Sequence, residues 1–117
     1  IMNYEFEQLS CALKVTIDGR LVAACSESFQ NQVLERMESE SDKNLLLDLS
    51  KMTHIDSSGL GALVFLLQKA SAKGGTVKLA CLQPRPRIIF EITKVFRVFE
   101  IYDTVDAALQ SFGEAAN

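Results

Sequence analysis

The sequence predicts an α/β fold in which a mixed, mostly parallel sheet of four to five strands packs against about four helices. Short apolar runs alternate with amphipathic segments of helical period, and this alternation implies right-handed crossovers between parallel strands. The run Asn44–Ser50 is almost continuously apolar, which is typical of a parallel strand buried on both faces. The 117 residues are enough for one domain, which is predicted over residues 2–114.

Two strands open the chain and are expected to pair as an antiparallel hairpin. Tyr4–Leu9 alternates apolar and polar residues, and Cys11–Ile17 places its aliphatic side chains on one face at a period of two. Asp18 and Gly19 form a turn signal, so the second strand is predicted to end before them.

The first helix and the central strand follow. Ser26 or Ser28 can cap a helix that continues to about Ser39, since its apolar residues recur at helical spacing. The strand Asn44–Ser50 comes next, and Met52–Ile55 is predicted as a separate short extended piece.

The remaining elements repeat the alternation of helix and strand. A second helix is predicted to begin at Ser57 or Ser58 and to end near Ala72, where Gly74 and Gly75 offer a left-handed cap. The later elements are a strand at Thr76–Leu82, a helix from Arg87 to about Lys94 whose start Pro84 and Pro86 fit, a strand at Val98–Ile101, and a helix capped by Asp103 or Thr104 that continues to about Phe112.

The composition excludes several classes of function. Twelve Lys and Arg against fifteen Asp and Glu give a net charge of −3, which disfavours a nucleic-acid binder or a polybasic membrane anchor. The longest apolar run, Gly59–Leu67, is too short to cross a bilayer. We therefore expect neither nucleic acid nor membrane as a direct partner.

Three widely spaced cysteines, Cys11, Cys25 and Cys81, and one histidine, His54, argue against a disulfide framework or a metal site. The thiols are expected to be small core residues. Free thiols and the lack of a secretory signal pattern predict a cytoplasmic location. No cofactor and no metal is expected.

The most informative motif is Asp56-Ser57-Ser58-Gly59, which follows a buried strand and opens a helix. A plain helix cap is the simplest interpretation, because Asp and Ser oxygens accept the first free N–H groups of a helix. Only one of the three polar residues can be the cap, however, so the others are available for another role. Gly59 and Gly61 are predicted to leave this helix end open to close approach by a second molecule.

Three kinds of chemistry use a serine beside a helix N-terminus. A nucleophile elbow needs Gly two residues on either side of the serine, which neither Ser57 nor Ser58 has, and His54 is the only possible base. A phosphate-binding loop is disfavoured because the chain has no GxxxxGK[ST] motif. An exposed serine at a helix N-terminus is instead accessible to a kinase, and the helix end tolerates the added negative charge.

The chain resembles STAS domains of the anti-sigma-factor antagonist type. The resemblance covers nearly the whole chain and is carried by Leu46–Ser50, by Ile55–Gly61 with its Asp-Ser-Ser-Gly-Leu stretch, by Asp18–Leu21, by Gly74–Gly75 and by Ala107–Leu109. Two positions depart from it, since members often carry Asp where this chain has Val22 and Gly where it has Lys94.

The resemblance implies a non-enzymatic switch protein of bacterial partner-switching pathways, with no catalytic residue. The unphosphorylated form would bind an ATP-dependent anti-sigma serine kinase and free the sigma factor. Phosphorylation at Ser58 would release the kinase, and a PP2C-type phosphatase would reverse the modification. The partner-binding residues implied are Asp56, Ser57, Ser58, Gly59 and Gly61, in a monomer or weak dimer.

Two other interpretations stay open. The chain could be a constitutive STAS adaptor of a transporter or lipid-handling complex, or a small enzyme that uses Ser57 or Ser58. The simplest interpretation of a cluster of cations around the third helix is a solvated face. The alternative interpretation is a binding site for an acidic partner or a nucleotide. The cluster consists of Arg85, Arg87, Lys94 and Arg97.

Overall fold

Among residues 2–116, five strands form one mixed sheet, whose order in space equals their order in the chain. The computed structural model describes residues 2–116, with side chains as far as Phe112. The strands are β1 (Met2–Gln8), β2 (Leu13–Leu21), β3 (Leu45–Ile55), β4 (Val77–Ala80) and β5 (Glu100–Tyr102). β1 pairs antiparallel with β2, and the other three pairings are parallel. The predicted hairpin and mostly parallel sheet are confirmed.

Within residues 2–116, four α-helices and one short 3₁₀ helix accompany the strands, and the last α-helix follows the last strand. They are α1 (Ala23–Ser39), α2 (Ser57–Ala72), α3 (Pro84–Ile92), the 3₁₀ turn Val95–Arg97 and α4 (Val105–Ala116). In the part of the chain that the structure describes, no helix is both long and apolar enough to cross a membrane.

The central strand β3 is buried on both faces, as its continuous apolar sequence predicts. Leu45 and Leu47 belong to the larger core cluster, which also contains buried residues of α1, α2 and α3. Leu46 belongs to a second cluster together with Ala108 and Phe112 of α4. Helices therefore cover both faces of the sheet at its centre. The start of α2 follows the carboxyl end of β3, the central strand.

The predicted turn at Asp18 and Gly19 is wrong, because both residues lie inside β2. Gly19 has a φ of 105°, and the pairing of β2 with β3 shifts register on both sides of it. Gly19 therefore permits an irregularity within the strand and does not mark the end of the strand. The separate piece Met52–Ile55 is likewise the continuation of β3, since the parallel partner strand extends alongside it.

The helix starts show why sequence signals misplace boundaries. α1 begins after Val22, and Ser26 is buried inside the helix, where its hydroxyl donates to the Val22 carbonyl at 2.7 Å. Neither Ser26 nor Ser28 is therefore the cap. α3 begins at Pro84 rather than Arg87, because proline at the first position lacks only an N–H that the helix leaves unpaired.

The end of α2 matches the sequence expectation in detail. Gly74 has a φ of 80°, and its N–H donates to the Ser71 carbonyl at 3.0 Å. The Gly75 N–H donates to the Ala70 carbonyl at 2.9 Å. This pair of bonds is the Schellman arrangement, which needs a residue that adopts the left-handed conformation without cost.

Candidate functional site

One carboxylate, that of Asp56, connects the starts of two helices. Asp56 is the N-cap of α2, and its Oδ1 accepts the Gly59 N–H at 2.9 Å. Its Oδ2 accepts the Ala23 N–H, at the start of α1, at 3.0 Å. Its own N–H donates to the Leu21 carbonyl at 3.3 Å. Asp56 is therefore a structural support of the site, with both oxygens committed to backbone donors.

Ser57 and Ser58 are the first two residues of α2, and both are exposed. Since Asp56 is the N-cap, neither serine hydroxyl is needed to cap the start of the helix. The N–H groups of these two positions precede the helical hydrogen-bond ladder, so the site presents unpaired donors and the positive end of the helix dipole. Ser58 is thus an accessible hydroxyl in surroundings that favour negative charge.

The two glycines of the motif have different roles, which corrects the expectation that both leave the helix end open. Gly59 is buried, and a Cβ added there would overlap the Leu21 carbonyl oxygen and lie 2.7 Å from Ile55 Cγ1. The close approach it permits is internal, between α2 and the end of β2. Gly61 is exposed, and an added Cβ would meet nothing within 4 Å.

The two departures from the family pattern have structural explanations. Val22 occupies the N-cap position of α1 with extended backbone and makes no side-chain cap, and Asp56 binds the Ala23 N–H instead. Lys94 adopts left-handed backbone, with φ 60° and ψ 20°, which is the conformation that favours glycine. Both residues lie at the surface of the molecule, Val22 partly buried and Lys94 exposed.

His54 lies just before the motif in a short chain of hydrogen bonds. Its Nε2 is 2.9 Å from Arg85 Nη1, which donates, so Nε2 is the unprotonated nitrogen. Nδ1 then donates to Thr53 Oγ1 at 2.9 Å, and that hydroxyl donates to the Gly19 carbonyl at 3.1 Å. Desolvation and the positive charges of Arg20 and Arg85 lower the pKa of His54. The geometry gives His54 a structural role and commits its ring nitrogens away from the serines.

The three cysteines are partly buried rather than core residues. The Cys25 thiol donates to the Val22 carbonyl at 3.4 Å, and Cys81 has a φ of 62°. Burial, the largest effect, and the charge of Asp48 raise the pKa of the Cys81 thiol. A raised pKa disfavours the thiolate, so Cys81 has the character of an unreactive thiol.

A cavity of about 620 Å³ lies at the opposite end of the strands from the serine motif, beside the amino ends of the parallel strands. Its one nearly buried cation, Lys78, donates to Ser111 Oγ at 2.6 Å and lies 3.5 Å from Glu100 Oε1. The Lys78 amine is therefore held by partners within the fold. Among the described residues, no group of three or more His, Cys, Asp and Glu could hold a metal ion.

Sequence reasoning missed a feature that adjoins the motif. α3 and the 3₁₀ turn carry exposed apolar side chains, and a groove of about 280 Å³ separates α3 from the end of β3. The sequence shows the cations of this region as a cluster but yields no prediction for the apolar residues between them. Ile88 and Ile92 are four residues apart, which places them on one face of α3, but buried apolar residues have the same spacing, so the sequence carried no signal of their exposure.

Most of the chain matches one known protein family. The family model of the STAS domain matches residues 3–108. The TM1081 homolog of Thermotoga neapolitana, named for an anti-sigma factor antagonist role, is 33% identical over 82 residues, which are 70% of this chain and 73% of that protein. The anti-sigma F factor antagonist of Paenibacillus polymyxa is 25% identical over 108 residues, 92% of each chain.

Solved structures share the fold at lower sequence identity. The crystal structure of TM1081 from Thermotoga maritima superimposes with a TM-score of 0.87 at 22% identity, over 93% of each chain. The phosphorylated form of the Bacillus cell fate determinant SpoIIAA gives 0.73 at 15% identity, over 93% of this chain and 98% of that one. The murine anion transporter Slc26a9 gives 0.78 at 21% identity, over 95% of this chain and 19% of that one. With its fold, its Asp-Ser-Ser-Gly motif and the match over residues 3–108, the chain belongs to the STAS domain family.

Proposed function

We propose that this chain is an anti-sigma-factor antagonist that is switched by phosphorylation of Ser58. The unphosphorylated form binds an ATP-dependent anti-sigma serine kinase, and the sigma factor is freed. Phosphorylation releases the kinase, and a PP2C-type phosphatase restores the binding form. The chain acts by binding, without catalysis of its own, in the bacterial cytoplasm.

The observation that carries this proposal is the exposed Ser58 on a helix end that Asp56 already caps. A phosphate there would add about −1.5 to −2 charge at pH 7, next to unpaired N–H groups and the positive end of the dipole. The fold is therefore expected to survive modification. Relatives named as anti-sigma factor antagonists support the role, and the phosphorylated SpoIIAA structure supports the compatibility of this fold with a phosphate.

The same charge would act against the kinase. An interface fitted to a neutral hydroxyl would have to bury an unpaired charge, which costs several kcal/mol per ion even after relaxation. A loss of about 3 kcal/mol weakens binding by more than about a hundredfold. Phosphorylation at one position thus suffices to separate the complex.

Phosphopeptide mapping after incubation with the kinase and ATP tests the modified residue. We expect phosphate on Ser58, and its loss in Ser58→Ala. Ser57→Ala is the matched control, because Ser57 is also exposed and precedes Ser58 in the same turn. Phosphate only on Ser57, or full labelling of Ser58→Ala, would contradict the assignment.

Calorimetric titration with the purified anti-sigma kinase of the source organism tests the switch. We expect Ser58→Ala to bind persistently and Ser58→Asp to lose binding, while circular dichroism shows an unchanged fold. Ser57→Asp places the same charge one residue earlier and measures how local the effect is. Equal affinity of Ser58→Asp and the wild type would favour a constitutive STAS adaptor and would overturn the switch.

A further inference from the structure

Four large apolar side chains are exposed on α3 and the segment that follows it. Ile88, Ile92, Phe96 and Val98 are exposed by 53%, 72%, 43% and 57%, and together they are called the α3 patch here. Ile88 and Ile92 lie one turn apart on the same face of α3. Single exposed apolar residues are ordinary, but four within eleven residues are a feature of interaction surfaces.

The segment that contains the α3 patch carries a net positive charge in an otherwise acidic chain. Residues 84–98 contain four Lys and Arg against the single carboxylate of Glu91, a net charge of +3, whereas the whole chain carries −3. The remaining residues therefore carry −6. Arg97 lies directly beside the patch, with its guanidinium 5.9 Å from the centre of the Phe96 ring. The patch is complementary to an apolar surface bordered by carboxylates.

A concave groove lies between the α3 patch and the end of β3. The groove of about 280 Å³ is lined by His54, Ile55, Arg85, Pro86, Ile88 and Ile89. Ile55 is the last residue of β3 and directly precedes Asp56, so the groove lies between Ile88 of the α3 patch and the residue before the serine motif. A concave apolar groove fits an inserted side chain of a protein better than it fits a lipid surface, which is broad.

We propose that the α3 patch is a second contact surface for the partner that binds at Ser58, and that it receives an amphipathic segment of that partner with acidic flanks. This inference rests on the function proposed above. Ser58 decides whether the complex forms, because a charge there is incompatible with burial. The α3 patch contributes affinity that is independent of the phosphorylation state, because none of its residues belongs to the serine motif.

The test is made in the Ser58→Ala background, where the switch is fixed in its binding form. Binding of the purified anti-sigma kinase is measured by calorimetry for the double variant Ile88→Ser/Ile92→Ser and for Arg97→Glu. Lys43→Glu is the matched control for charge, since Lys43 is exposed at the amino end of β3, at the opposite end of the strands from the serine motif. Thermal unfolding checks that each variant folds, which the exposure of the substituted side chains predicts.

We expect the double variant and Arg97→Glu each to weaken binding by about tenfold or more, as loss of a central contact does, with little effect of Lys43→Glu. Hydrogen exchange should show protection by the kinase at residues 84–98 as well as 57–61. Unchanged affinity of both α3 variants, or protection at 57–61 alone, would overturn this inference and leave the Ser58 switch intact. Failure of Ser58→Ala itself to bind the kinase would overturn the proposed function, and this inference with it.

Two further measurements separate the other possible occupants. The Ser58→Ala protein and its double variant are incubated with vesicles of phosphatidylglycerol and phosphatidylcholine, and their self-association is followed by sedimentation. Vesicle binding that the double variant loses would identify a membrane surface. A dimer that the double variant loses would identify a second copy of this chain. Either result would overturn the inference.

Discussion

The Asp56 carboxylate accepts the backbone N–H of Ala23 at 3.0 Å, so the residue that caps α2 also holds the start of α1. These residues are 33 positions apart in the chain. The link fixes the position of the Ser58 turn relative to the end of β2 and the start of α1. A partner that binds over this turn meets a surface that is already ordered.

Replacement of Asp56 should therefore cost more than the loss of one helix cap. Asp56→Ala removes acceptors from two N–H groups, and at about 1 kcal/mol per cap the free energy of unfolding should fall by about 2 kcal/mol. Asp56→Asn retains one carbonyl oxygen and should lose roughly half of that. Urea unfolding measures both, with Ser57→Ala as a control expected to change stability by less than about 0.5 kcal/mol. Equal losses for Ala and Asn would contradict a double cap.

The two glycines of the motif should respond in opposite directions to alanine. Gly59→Ala forces a Cβ against the Leu21 carbonyl and should lower the free energy of unfolding by about 1–3 kcal/mol. Gly61→Ala adds a Cβ to open space in an exposed helical position and should raise it by about 0.5–1 kcal/mol. Denaturant unfolding of Gly59→Ala and Gly61→Ala measures both changes in the free energy of unfolding. Similar responses would show that the tight contact of Gly59 is not a constraint.

Because of the tight contact at Gly59, binding studies need a variant at Gly61 instead. A bulky charged residue at Gly59 would disturb the fold as well as the interface, so loss of binding in Gly59→Glu would have no clear cause. Gly61→Glu places bulk and charge near Ser58 without the internal overlap. We expect it to fold and to impair kinase binding.

Negative charge at Ser58 should be neutral or mildly favourable for stability. The helix dipole favours an anion in the first turn by about 0.3–1 kcal/mol. Thermal unfolding of Ser58→Asp should give a midpoint equal to that of Ser58→Ala or slightly above it. A large fall in the midpoint would mean that the Ser58 hydroxyl is a structural element of the α2 start.

Acidification should weaken the fold through His54, the single histidine of the chain. Its folded pKa is lowered from the ordinary 6.5, so the unfolded state takes up the proton first as pH falls. This contribution to stability is complete above pH 6.5 and is lost as pH falls from there through the lowered pKa. Denaturant unfolding at about pH 7.5 and about pH 5.5, above most carboxylate pKa values, should show the loss in the wild type. An equally large loss of unfolding free energy in His54→Gln would mean that other titrating groups cause the pH dependence.

The left-handed residue after α3 provides another test. Lys94→Gly relieves a conformation that costs a non-glycine residue about 1–2 kcal/mol, offset in part by the greater freedom of glycine when unfolded, so stability should rise by up to about 1 kcal/mol. Lys73→Gly is the matched control, since Lys73 is also an exposed lysine at a helix end but has a φ of −98°. That variant should lose stability. Parallel changes in the two variants would contradict the explanation.

The order of elements, the buried character of β3 and both ends of α2 could be predicted from the sequence. These features depend on local causes: the period of apolar residues, the cap-forming oxygen at Asp56, and the left-handed conformation available to Gly74. The exposed positions of Ser57 and Ser58 follow from the same local pattern. Residues within one turn or one strand of each other carry all the information that these predictions need.

Other features were decided only when distant segments packed together. Gly19 carries a turn signal but lies within β2, because pairing with β3 extends the strand past it. The Leu21 carbonyl leaves no room for a side chain at Gly59, and the Ala23 N–H is the second donor to the Asp56 carboxylate. Neither Leu21 nor Ala23 is near the motif in sequence. The apolar residues of α3 have the pattern of core residues, and only the tertiary packing leaves Ile88 and Ile92 uncovered. Local sequence determines which hydrogen-bonding groups and apolar faces are available, whereas long-range packing determines what satisfies or covers each of them.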